Sequence, residues 1–182
     1  MAPEPVTFRT IEVGTTRISD AEMEVTGRLR DEVTADGSAC ASAGPSSRRR
    51  IHDLRLTLSL RYPELEILEA CAELVTFPFP DCQSLPPAYR KLVGLRIGEG
   101  FVRKAQARVG RERGCVHLST LLFAMLAPIQ QAVLTLLPEH PEPSFFTRIV
   151  DSCHSWRRHG PLYARLREGS LPKPGSHAPI GG

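Results

Sequence analysis

An α+β fold is predicted by a change of hydrophobic period part-way along the chain. Up to about Thr76, apolar and polar residues alternate, which is the period of a half-buried strand. Beyond a proline-rich stretch at 77–82, apolar residues recur every three to four positions, which is the period of a helix. Strands first and helices after them argue a small, mostly antiparallel sheet with three to four helices packed on one face.

The strands follow from the alternation. A first strand is expected over 8–13. In the next, Ala21, Met23, Val25, Gly27 and Leu29 share one face and Glu22, Glu24, Thr26, Arg28 and Arg30 the other. Residues 34–50 form a Ser/Ala/Gly-rich connection expected to be mobile. Leu54, Leu56, Leu58 and Leu60 then alternate with Arg55, Thr57, Ser59 and Arg61. A Tyr62-Pro63-Glu64 turn leads to a partner strand over 65–76, because the fixed φ of proline suits a turn and its missing N–H weakens a strand. The two make an antiparallel hairpin.

The helices follow from caps and spacing. Phe77 to Cys82 reads as extended and rigid. Pro86 and Pro87 can open a short helix through Tyr89, Leu92 and Val93 that stops at Gly94. Phe101, Val102, Ala105 and Val109 mark a second, stopped by Gly110. Leu118, Leu121, Leu122, Met125, Ile129, Val133 and Leu136 mark the third and longest, with its apolar face in the core. Ser144 can cap a fourth through Phe145, Ile149, Cys153 and Trp156 to Gly160. The chain thus reads as a flexible 1–7, one α+β domain over 8–168 interrupted by the linker, and a disordered tail over 169–182.

Composition excludes several classes. A chain of 182 residues, 41% hydrophobic, suits one domain with a real core. A net charge of +3 is mild, and Arg48-Arg49-Arg50 beside the linker lacks an aromatic platform, so a solvated loop is expected and no nucleic-acid partner. The apolar run over 115–137 is broken by Ser119, Thr120, Pro128, Gln130 and Gln131, so a core helix is expected and no membrane span. Residues 1–9 carry prolines and acid without an apolar run, so no secretory signal is expected. Cys40, Cys71, Cys82, Cys115 and Cys153 are odd in number and contain no CxxC pair, which suits reduced cytoplasmic thiols.

The sharpest chemistry lies in Arg113-Gly114-Cys115-Val116-His117-Leu118. A glycine turn delivers Cys115 and His117 onto the first turn of the longest helix. Unpaired N–H groups there, with Arg111 and Arg113 nearby, favour a thiolate, and an imidazole two residues on makes a pair of metal ligands. The plainer alternative is a small buried thiol with a histidine beside it. His52 and Asp53 open the central strand, where a turn-ending aspartate is the plain reading. Cys82 follows the next strand, and antiparallel neighbours bring the start of one strand beside the end of the next. His52, Asp53, Cys82, Cys115 and His117 are therefore expected at one end of the sheet as a metal site. Cys153 falls on the apolar side of its predicted helix and is expected in the core, with His154 a weak candidate. His140 and His159 read as exposed, and Cys40 and Cys71 lack partners at ligand spacing. The glycines of Gly94 to Gly100 follow no strand and precede no Lys-Ser/Thr, so no phosphate loop is read there.

With these residues assembled, the chain resembles a bacterial family catalogued as domain of unknown function 2889. The matching phrases are His52-Asp53-Leu54, Leu92-Val93-Gly94-Leu95-Arg96-Ile97-Gly98, Arg113 to Leu118, and Asp151-Ser152-Cys153-His154, spread over about 8–166. That resemblance implies no activity. From Leu54 to about Leu134 the layout is also similar to iron–sulfur scaffold proteins of the NifU/IscU type. It implies their fold, with Asp53 in the place of the scaffold aspartate, Cys82 in that of the second cysteine and Cys115 in that of the third. The first scaffold cysteine is replaced here by Ile51, with His52 beside it.

The expectation is a metal-binding or iron–sulfur-handling accessory protein with a His/Asp/Cys/Cys site. Zinc or an iron–sulfur cluster suits these donors better than calcium or magnesium. Two alternatives stand beside it: a zinc enzyme in which Asp53 or His117 acts on a bound water, and a partner-binding protein with core cysteines.

Overall fold

The structure, a computed structural model, describes residues 6–34, 48–136 and 150–169. It divides into two compact units, 1–129 and 130–182. The first holds the sheet and everything that builds the site below.

Among the described residues, four antiparallel strands run in sequence order: β1 Thr7–Arg17, β2 Glu22–Thr34, β3 Arg48–Arg61 and β4 Glu66–Thr76. The expected alternation holds. Met23, Val25 and Leu29 of β2 and Leu54, Leu56, Leu58 and Leu60 of β3 are buried on one face. Register pairs Leu29 with Leu54, Val25 with Leu58 and Leu58 in turn with Ala70. The other face is laced with ion pairs: Arg28–Asp53, Arg30–Glu12 and Arg55–Glu73. The small antiparallel α+β fold read from the sequence is thus present.

The α-helices among the described residues are α1 Phe101–Val109, α2 Val116–Leu136 and α3 Pro161–Arg167. In α2, Leu118, Leu121, Leu122, Met125, Ile129 and Val133 are buried at helical spacing, as expected. Among the described residues, α2 alone is long and apolar enough to cross a membrane, and a third of its apolar window is buried. It lies against the sheet at Gly27, where a Cβ would come within 2.9 Å of Leu121 Cδ1 and Met125 Sδ. Glycine at this position lets helix and strand approach closely. Pro128 removes one N–H from the α2 ladder, one residue before the first unit ends.

Several expectations are corrected. Residues 77–79 bend and Pro80–Ser84 is a 3-10 turn, where an extended stretch was expected; Pro80 at its first position suits a helical φ. The helix at Pro86–Leu92 is also 3-10. Arg48 to Arg50 are not loop but the start of β3. The Arg48 guanidinium lies 3.3 Å from the Phe8 ring centroid, and Arg50 pairs with Glu32 at 3.1 Å. The rest of the linker, 35–47, lies outside the described residues, as do 1–5, 137–149, 170–182 and with them Cys40 and His140. Of the predicted fourth helix, 144–149 lies outside them, and the described remainder is a set of turns. There Asp151, at φ 64°, accepts the Arg158 backbone N–H at 2.7 Å and its guanidinium at 3.2 Å. Such side-chain bonds to backbone compete with a helix, and they leave Cys153 and His154 exposed.

Candidate metal centre

Asp31 continues the buried phase of β2 beyond Leu29, so a carboxylate falls on the face otherwise filled by Met23, Val25 and Leu29. On β3, His52 is in phase with Leu54 for the same reason. Register makes the two direct partners, and the pairing slips by one residue immediately after them. His52 Nδ1 sits 3.1 Å from Asp31 Oδ2.

The third contributor arrives from α2. Gly114 passes so close to α1 that a Cβ there would lie 2.0 Å from the Val109 carbonyl oxygen, so no larger residue fits. The buried Tyr89 hydroxyl then clamps Cys115, accepting its backbone N–H at 3.1 Å and donating to its carbonyl at 3.2 Å. That carbonyl also accepts the Ser119 N–H at 2.9 Å and starts the helix. Fixed in this way, the first turn lays the His117 ring against that of His52, centroids 3.8 Å apart and planes inclined by 33°. His117 Nε2 lies 3.6 Å from Asp31 Oδ2, and its Nδ1 lies 3.7 Å from the Cys115 sulfur.

Arg9 also holds Asp31: its Nε donates to Oδ1 at 2.7 Å and its Nη2 donates to Oδ2, the oxygen the histidines approach, at 2.8 Å. These bonds hold the carboxyl below its usual range, against the opposing effect of burial. Burial pushes the His117 imidazole down, and the neighbouring His52 adds to this. One oxygen of Asp31 and one ring nitrogen of each histidine lie within 4.8 Å of one another.

Beside this cluster a recess of about 160 Å³ is walled by Leu54, Leu74, Phe77, Pro78, Phe79 and Leu85. His52, Cys82, Cys115 and His117 complete its lining. Of the residues the sequence singled out, the structure therefore brings His52, Cys115 and His117 together and places Cys82 on the same recess.

Asp53 is not among them. Neighbouring residues of a strand point to opposite faces, so Asp53 turns away from His52. Arg28 Nε and Nη2 hold its two oxygens at 2.8 and 2.7 Å, and Arg50 Nη1 approaches to 3.7 Å. Asp31 and Arg9 were not singled out by the sequence reading. A charged residue in the buried phase of an otherwise apolar strand was the available signal.

The family described as Protein of unknown function (DUF2889) matches residues 7–131, more than two thirds of the 182-residue chain. The chain belongs to that family. The DUF2889 match begins with β1 and ends inside α2, so it encloses Arg9, Asp31, His52, Cys115 and His117. No curated protein and no solved structure matches the chain.

Proposed function

We propose that this DUF2889 protein binds a single divalent transition-metal ion, zinc by donor chemistry, through Asp31, His52 and His117. The convergence of one carboxylate oxygen and two imidazole nitrogens within 4.8 Å carries the proposal. Donors about 2.0–2.1 Å from a tetrahedral ion stand roughly 3.3 Å apart, and the 3.1 and 3.6 Å separations at Asp31 Oδ2 are close to that. Two nitrogens and one oxygen suit zinc rather than calcium or magnesium. With His117 Nε2 on the ion, Nδ1 carries the proton and directs it at the Cys115 sulfur, which fixes the ring. Three protein donors beside an open recess fit a centre that keeps one position for another ligand.

An iron–sulfur role of the NifU/IscU type would draw on Cys82 and Cys115 instead. It loses support from the position of Asp53, which the two-residue period of β3 turns to the face of the sheet opposite His52. Cobalt(II) added to metal-free protein separates the two. A centre of His52, His117 and Asp31 gives saturable visible bands without a thiolate charge-transfer band. A thiolate band that Cys82→Ser and Cys115→Ser both remove would favour the cysteine site, and absence of saturable bands would end the metal reading.

A second reading is favoured by the line that Cys115, His117 and Asp31 form, with His117 between sulfur and carboxylate at 3.7 and 3.6 Å. Nucleophile, base and orienting carboxylate take this order in thiol enzymes. Rapid alkylation of Cys115 by iodoacetamide, lost in His117→Ala and unaffected by chelators, would support it.

A further inference from the structure

We infer that the recess beside the histidines takes the apolar body of a small organic anion whose head group completes the metal's coordination. This rests on the metal reading above and goes on to name the class of ligand. The walls are hydrocarbon throughout: Leu54 and Leu74 from a register pair of β3 and β4, Phe77, Pro78 and Phe79 from the bend, and Leu85 between the two 3-10 turns. Among the described residues, the polar side chains at this lining are the two imidazoles and the two thiols. For an anionic head the place that fits is the metal beside the two imidazoles, since uncharged thiols offer an anion far less.

Charge sets the sign of the head. A divalent ion with the Asp31 carboxylate, the Arg9 guanidinium and two neutral imidazoles leaves an excess of two positive charges. An anionic oxygen or sulfur at the vacant position offsets part of that excess, whereas a cationic ligand adds to it. Size sets the body. A cavity of about 150 Å³ lined by leucine, isoleucine and phenylalanine stays dry and accepts benzene, so a recess of about 160 Å³ suits some six carbon atoms. Phe79, one of its walls, is 67% exposed, so the recess lies at the surface of the domain. The class is therefore a short aliphatic or monocyclic aromatic carboxylate, or the thiol of the same size.

The probes are acetate, butanoate and hexanoate, titrated into cobalt-loaded protein. The visible spectrum reads the head group and methyl NMR shifts of Leu54 and Leu74 read the body. Hexanoate is expected to bind at least about tenfold more tightly than acetate, since each buried methylene contributes roughly 0.8 kcal/mol. Leu85→Trp, which fills the recess from a loop, should abolish that preference while cobalt stays bound. Leu74→Phe serves as a second variant if Leu85→Trp fails to fold. Equal affinity along the series overturns the inference, as does a hexanoate preference that survives both substitutions. Benzene titrated into metal-free protein separates the two levels. Leucine methyl shifts with benzene but no cobalt binding would sink the metal reading, whereas cobalt binding without a chain-length preference would sink only the recess.

Discussion

Asp31 and His52 face each other directly across β2 and β3, with His52 Nδ1 3.1 Å from a carboxylate oxygen. Both occupy positions that elsewhere on these strands hold leucine, valine or methionine. Burying a carboxylate and an imidazole there forgoes apolar burial, and the carboxylate is accommodated because Arg9 forks onto it from β1. Removing that fork by Arg9→Ala leaves Asp31 nearly buried without its main partner. The expected cost is about 1–3 kcal/mol in urea unfolding, discounted because the Arg9 side chain is 41% exposed.

Tyr89 gives a pH-dependent test. Burial is the main cause that raises its phenol above the ordinary value. A group raised on folding contributes stability that is present below the unfolded value, about 10, and is lost as pH rises through the folded one. Wild type should therefore lose stability above pH of about 10 more steeply than Tyr89→Phe. At neutral pH, Tyr89→Phe should cost about 1 kcal/mol, since the Cys115 N–H loses its acceptor. Parallel alkaline limbs in the two proteins would remove Tyr89 as the titrating group.

Close packing of α2 on the sheet is tested at two positions. Gly27→Val places new atoms where 2.9 Å already separates a Cβ from Leu121 and Met125, and should cost about 1–3 kcal/mol by overpacking. Leu122→Ala, at a fully buried site, should cost about 2–5 kcal/mol. Both are read from urea midpoints at constant slope.

The strands and α2 were legible because burial imposes its period on the sequence. Leu54 to Leu60 and Leu118 to Val133 can be assigned without any knowledge of their neighbours. The site was legible in part. His52, Cys115 and His117 stood out as chemistry at element starts, but proximity in sequence suggested that His52 and Asp53 act together, which the two-residue period of a strand forbids. The same period carried from Met23 through Leu29 reaches Asp31, so the missing carboxylate was encoded in a pattern followed only as far as Leu29. The turns around Asp151 were not legible, because their cause is a side-chain oxygen meeting a backbone N–H seven residues away.

Zinc content after equilibrium dialysis tests the metal centre most directly, comparing wild type with Asp31→Asn, His52→Ala, His117→Ala and Asp53→Asn, each first shown to be folded. One zinc per chain is expected in wild type and in Asp53→Asn, with most of it lost from the other three. Wild type without stoichiometric zinc, or Asp53→Asn losing it while Asp31→Asn retains it, would contradict a centre built on Asp31, His52 and His117.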